Sequence, residues 1–107
     1  MPELNETIHQ PIRLRIMASL VTLAPDEEVD FTTLRSLLDV TDGNLGAHLR
    51  KLEEAGYIAV NKVFIERKPR TYVAATPTGR KVFSQHVSAL EAILNSKRGK
   101  HESGHPG

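Results

Sequence analysis

Two apolar stripes of helical period stand only three residues apart in this chain, and that gap restricts the folds open to it. Phe31, Leu34, Leu37 and Leu38 recur at helical spacing over 31–38, and Leu45, Leu49 and Leu52 repeat the pattern over about 42–55. Asp39-Val40-Thr41 between them is too short for anything but a turn. The spacing predicts a helix-turn-helix, with Asp30 capping the first helix and Thr41 or Asp42 the second. Gly56 follows where a helix end wants a left-handed residue.

The flanks complete the reading. Ile8, Ile12, Ile16, Leu20 and Leu23, with Met17 beside them, predict an amphipathic helix over about 11–24, with Pro11 in its first turn. Pro25 and the acidic run Asp26–Asp30 interrupt it. Residues 57–65 are rich in β-branched and aromatic side chains and predict a strand. Glu66-Arg67-Lys68-Pro69-Arg70 breaks that strand and 71–75 resumes it, which makes a hairpin. Thr76-Pro77 is an N-cap followed by proline at the first helical position. It opens a last helix to about Asn95, while the polar, glycine-containing segment 96–107 is expected to be a disordered tail. The whole is one α+β, mainly helical domain over 1–95: helix, helix, turn, helix, β-hairpin, helix, the order of a winged helix-turn-helix.

Composition excludes several function classes. The chain has no cysteine, hence no disulfide framework, thiolate metal site or cysteine nucleophile. The start is acidic and polar and no apolar run approaches membrane length, so a cytoplasmic protein without membrane contact is expected. The net charge is only +1, yet it is strongly polarised. Residues 1–42 hold three Lys/Arg against eight Asp/Glu, whereas residues 43–81 hold eight against three. A near-neutral protein polarised in this way can hold a polyanion on one face.

The basic segment also carries the candidate site. With Leu45, Leu49 and Leu52 inward, the start of the second helix-turn-helix helix offers Thr41, Asp42, Gly43, Asn44, Gly46 and Ala47, small or short polar residues that let a backbone approach a groove floor. Asn pairs bidentately with adenine and Arg with guanine, so Asn44 and Arg50 are the candidates for base edges and Lys51 for phosphate. Lys62 on the hairpin, and Arg67, Lys68 and Arg70 at its tip, are placed to neutralise phosphates or enter a narrow minor groove. Basic hairpin tips also serve simply to prevent edge aggregation.

These segments resemble a known family. His9-Gln10-Pro11-Ile12-Arg13-Leu14-Arg15-Ile16, the run Asn44 to Ile58, Arg70-Thr71-Tyr72 and Thr76-Pro77-Thr78-Gly79-Arg80 look like the winged-helix transcriptional regulators, in a short MarR/ArsR-like branch. The resemblance spans roughly residues 8–94 and implies a homodimer that binds double-stranded DNA through a recognition helix and a wing, often as a repressor. Such families frequently have Ser and Arg where this chain has Gly46 and Ala47, which shifts base reading toward Asn44 and Arg50.

Dimerisation is also expected from the residues. Val82, Phe83, Val87, Leu90, Ile93 and Leu94 form a stripe wide enough to touch the domain and a partner, and Leu4 and Ile8 could share that interface. A groove between first and last helices of such a dimer could hold a small-molecule effector, though no residue set specifies one. His101 and His105 have a ligand-like spacing, but Gly104 and Pro106 argue against a helix there, and no metal or cofactor is expected. His9, His48 and His86 read as hydrogen-bonded, partly buried side chains. No Walker loop or nucleophile context is present, so an enzyme is not expected. A protein-interaction module and a non-specific architectural DNA binder remain the alternatives.

Overall fold

The computed structural model describes residues 4–102, with side chains through Ser96. The elements in chain order are α1 (Glu6–His9), α2 (Pro11–Val21), β1 (Val29–Asp30), α3 (Phe31–Leu38), α4 (Asp42–Glu54), β2 (Ile58–Ile65), β3 (Lys68–Ala75) and α5 (Pro77–Glu102).

Pro11 sets the first break. A residue preceding proline is pushed out of the helical region, and Gln10 is extended at ψ 130°. The apolar run that starts at Ile8 is thereby split into the short α1 and the longer α2. Each half has its own side-chain cap: Asn5 accepts from the Ile8 N–H at 3.0 Å, and Gln10 from the Arg13 N–H at 2.9 Å. α2 stops at Val21, short of the expected end near 24, because the chain turns there toward β1.

The helix-turn-helix forms as the spacing predicts. α3 ends on Asp39 in the left-handed region (φ 54°), and Thr41 caps α4 by accepting from the Asn44 N–H at 3.1 Å. Asp30 stands at the cap position of α3, but its side chain makes no capping bond. Leu34 and Leu38 are buried as expected; Leu37 is not, at 63% exposed. At roughly 100° per residue it lies a full step around the axis from Leu38, outside the narrow stripe that an eight-residue helix can bury.

The exit of α4 is a Schellman turn. Gly56 has φ +82°, its N–H donates to the Glu53 carbonyl at 2.9 Å, and the Tyr57 N–H donates to that of Leu52 at 3.0 Å. The Thr76-Pro77-Thr78-Gly79-Arg80 segment closes against this turn. Thr76 donates its hydroxyl to the Gly56 carbonyl at 2.7 Å and accepts from the Gly79 N–H at 2.9 Å. Arg80 then reaches the end of α2, donating to the carbonyls of Val21, Leu23 and Ala24 at 3.3, 2.9 and 3.2 Å. One five-residue stretch thus caps α5, holds the α4 exit and closes the α2 carboxyl end.

The sheet is antiparallel in the order β1-β3-β2. β1 was not expected from the sequence; it is two residues long, pairing Val29 with Val73 and Asp30 with Tyr72. The hairpin loop is also shorter than the 66–70 break suggests. Only Glu66 and Arg67 form the turn, both at positive φ (51° and 67°), and β3 already begins at Lys68. Pro69 is tolerated because Ile65–Lys68, which closes the two-residue turn, is the hydrogen-bonded pair; the next pair, Phe64–Pro69, is not hydrogen-bonded, so no ladder bond is lost.

The core lies where α2, α3 and α4 meet the inner face of β2 and β3. Met17, Leu20, Leu34, Leu45, Leu52 and Val73 are all fully buried in it. A buried leucine of this kind stabilises the fold by about 1.5–3 kcal/mol. Ile8, expected at a dimer interface, is instead buried in this chain's own core, because the break at Pro11 folds α1 back over α2. α5 runs on to Glu102, past the end near Asn95 suggested by its apolar stripe; the last five residues, including His105, lie outside the described residues.

Candidate nucleic-acid interface

With Leu45, Leu49 and Leu52 pointing inward, helical geometry sorts the rest of α4 into three outward strips. Gly43, Ala47, Arg50 and Glu54 stand farthest from the core. Gly46 and Glu53 turn toward the sheet, with Arg50 on the border between these two strips, and Asn44, His48 and Lys51 turn the other way. Gly43, Asn44, Ala47, Arg50 and Lys51 are exposed and Gly46 is half-buried. The structure therefore brings Arg50 beside the hairpin but sets Asn44 roughly 120° around the axis from it. The two candidate base readers face different parts of any groove that α4 enters.

Thr41 and Asp42 have local work as well. The Thr41 hydroxyl is the α4 cap, and Asp42 accepts from Arg35 at 2.8 Å, an exposed ion pair that ties the end of α3 to the start of α4. Such a pair contributes at most about 1 kcal/mol.

Between α4 and the sheet lies an open cavity of about 260 Å³, lined by Gly46, Arg50, Glu53, Val60, Lys62 and Thr71, among others. Two cations, Arg50 from the helix and Lys62 from the strand, thus flank one cleft. The register explains the placing of Lys62: it is paired with Thr71, on the same face of the ribbon as the core pair Val60–Val73. Lys68 and Arg70 pair with Ile65 and Val63, so they share the opposite face, and Arg67 occupies the apex. The basic tip is therefore spread around the ribbon instead of forming one patch. All four cations, Lys62, Arg67, Lys68 and Arg70, are exposed.

The histidines hold helices together. His48 Nδ1 is 3.2 Å from an Arg13 guanidinium nitrogen, and Arg13 also donates to the Thr7 carbonyl at 2.6 Å. Burial, and secondarily the Arg13 charge, lower the His48 pKa below 6.5. His86 is buried on α5; its Nδ1 accepts from the Asn5 N–H at 3.0 Å and its Nε2 lies 3.5 Å from His9 Nδ1. Asn5 in turn donates to the Tyr57 hydroxyl at 3.0 Å. Burial, then the nearby His9, lower the His86 pKa. An accepting Nδ1 requires the neutral ring, so protonation breaks the α1–α5 joint. Among the described residues no group of three or more His, Cys, Asp or Glu is placed to hold a metal ion.

A pH dependence follows. Both shifts favour the neutral ring in the folded state, so below pH 6.5 the unfolded chain binds more protons than the folded one. Stability is expected to be intact above that pH and to fall as pH drops below it toward the lowered folded-state values. Thermal melts of the parent and His86→Gln between pH 7.5 and about 5 check this. The parent should lose more of its melting temperature than the variant on acidification; equal losses would show that His86 is not a source of the dependence.

Of the remaining dimer candidates, Val82 packs against the core, and Leu4, Val87 and Leu90 are half-buried. Ile93 and Leu94 are 39% and 57% exposed on the far part of α5. No helix among the described residues is long and apolar enough to cross a membrane.

Comparison with known proteins agrees with this geometry. Residues 12–94 match the family model described as a winged helix DNA-binding domain. An uncharacterised protein of Methanocaldococcus jannaschii is 37% identical over 76 residues, 71% of this chain and 79% of that protein. The structure of a transcriptional regulator homologue from Pyrococcus horikoshii OT3 superposes with a TM-score of 0.77 at 34% identity, covering 86% of this chain and 88% of that one. A MarR-family regulator from Enterococcus faecalis V583 shares the fold, with a TM-score of 0.72 at 24% identity over 90% of this chain and 84% of that one.

Proposed function

Because the chain belongs to the family of winged-helix DNA-binding domains, we propose that it is a homodimeric, sequence-specific transcriptional regulator, acting in the cytoplasm as a repressor. In this reading α4 enters the major groove, with Arg50 on a base edge and Lys51 on phosphate, while the wing cations lie along phosphate and the minor groove. The observation that carries it is the cleft between α4 and the wing. There Arg50 and Lys62 line one cleft with Gly46, and on the outward strip of α4 the small residues Gly43 and Ala47 let the helix backbone approach closely. The named transcriptional regulator homologue at 34% identity supports the same reading.

Pairing through α5 accounts for Ile93 and Leu94, which the described residues leave partly uncovered. Two copies related by a two-fold axis would set their α4 helices about 34 Å apart, the spacing of successive major grooves. A small-molecule effector would act at the groove between the first helical segment, α1 and α2, and α5 of the two copies.

Selection from a random duplex pool at near-physiological salt tests the reading. An inverted repeat with half-site centres about one helical turn apart is the expected product. Retention of duplex without enrichment would replace sequence-specific regulation by an architectural role, and no retention at any salt would remove DNA from the proposal.

A further inference from the structure

The face of the wing that looks toward α4 ends in an apolar pair that the described residues do not cover. Strand alternation places Ile58, Val60, Lys62 and Phe64 on this face, opposite Ala75, Val73, Thr71 and Pro69. The first two pairs belong to the core or its edge, the third lines the cleft beside Arg50, and the fourth stands free. Phe64 is 78% exposed, more than any other large apolar side chain among the described residues. Its place is two strand residues beyond Lys62, roughly 7 Å farther out along the ribbon.

Two features make this pair a rigid projection. Phe64 and Pro69 form a pair without backbone hydrogen bonds, the arrangement in which facing side chains come closest. Glu66 and Arg67 at positive φ make the two-residue turn whose twist matches the strands and fixes their register. A slip by one residue would carry Phe64 to the other face.

The surroundings select the partner. Arg67 at the apex, Lys62 behind, and Lys68 and Arg70 on the reverse face set four cations around the apolar pair against one carboxylate, Glu66 in the turn, so its surroundings are net positive. A matching surface is negative outside and apolar inside, which describes the phosphates and stacked bases of a duplex. We propose that Phe64, backed by Pro69, is a wedge that enters the minor groove beside the major groove held by α4, unstacks one base step and bends the DNA. This rests on the DNA-reading role proposed above. Pyrimidine–purine steps unstack most readily, so the wedge adds a sequence preference flanking the bases that α4 touches.

The test uses the full chain with Phe64→Ala, Phe64→Leu and Arg50→Ala. The probe is the duplex enriched from the random pool or, where none is enriched, a duplex with a central TA step, carrying 2-aminopurine at the flanking step and a dye at each end. The parent is expected to raise 2-aminopurine emission and shorten the dye-to-dye distance. Phe64→Ala removes an exposed side chain, so the fold survives; it should lose both signals and bind about tenfold more weakly. Its salt slope should match the parent's, because no charge is removed. Phe64→Leu, still an apolar wedge, should keep most of both signals. Unchanged emission, bend and affinity in Phe64→Ala, with Arg50→Ala impaired, would overturn the wedge and leave the DNA-reading role standing. A parent that holds no duplex even at low salt would overturn both. A Phe64→Ala protein that loses self-association in sedimentation would make this face a contact between copies and overturn the wedge.

Discussion

Alanine at position 79 is expected to destabilise the protein by about 2–4 kcal/mol, the largest effect of such a change at any described glycine. A Cβ built on Gly79 would lie 2.8 Å from the Tyr57 carbonyl carbon and 3.0 Å from its Cα, and closer still to the carbonyl oxygen. Those atoms cannot rotate away. The Tyr57 carbonyl accepts from the Thr76 N–H at 3.0 Å, and its own N–H closes the Schellman turn at the end of α4. Relief would require α5 to back off, and with it the Arg80 guanidinium that caps α2. For a domain of this size the melting temperature should drop by at least about 10 °C. Gly46→Ala is the matched control. That glycine lies inside α4 with no neighbour within 4 Å of a built Cβ, so the same methyl should stabilise the helix by up to about 1 kcal/mol. Melts or urea titrations giving both variants the same stability would show that the α4–α5 junction is not held rigidly.

The sequence makes the path of the chain readable because its local signals agree with one another. The 42–55 stripe, the Thr41 cap and Gly56 all mark one helix, and Asp42–Glu54 is that helix to within a residue. The Thr76-Pro77 start is equally clear, since cap and proline are adjacent. What cannot be read locally depends on long-range partners. β1 is two residues without a periodic signal, and it exists only because β3 offers Val73 and Tyr72 as partners. Leu37 has the composition of a core residue, but the number of apolar positions in a short helix does not say which flank meets its neighbours.

The hairpin tip shows the same limit at the candidate site. Charge and proline at 66–70 suggest an irregular loop, whereas the two-residue turn keeps Lys68, Pro69 and Arg70 within the strand and sends them to alternate faces. No property of those residues alone announces a turn, because Glu66 and Arg67 are not residues that favour positive φ. Arg80 and Gly79 likewise appear in sequence as parts of a family-like segment; only the fold shows that one closes a helix end and the other admits a backbone.

Arg50→Ala and Arg70→Ala are expected to fail differently, and the contrast tests where specificity resides. Arg50 lies on the strip of α4 farthest from the core, in line with Gly43 and Ala47, where the helix can sit deep in a groove. Its loss should remove about 1–3 kcal/mol of discrimination at one base pair, up to roughly a hundredfold preference, while mismatched sites bind almost as before. Arg70 lies on the wing face turned away from α4, and the proposed binding mode gives it phosphate as its partner. Its loss should weaken every duplex alike and reduce the slope of log affinity against log salt by about one. Competition binding of each variant to the selected site, single-base variants of it and a scrambled duplex, at several salt concentrations, separates the two. Asn44, turned roughly 120° from Arg50, should affect a different base pair or none. A uniform loss in Arg50→Ala with unchanged preference would move base reading off that side chain. Because Lys62 shares the cleft with Arg50, it would then be the next side chain in position to act.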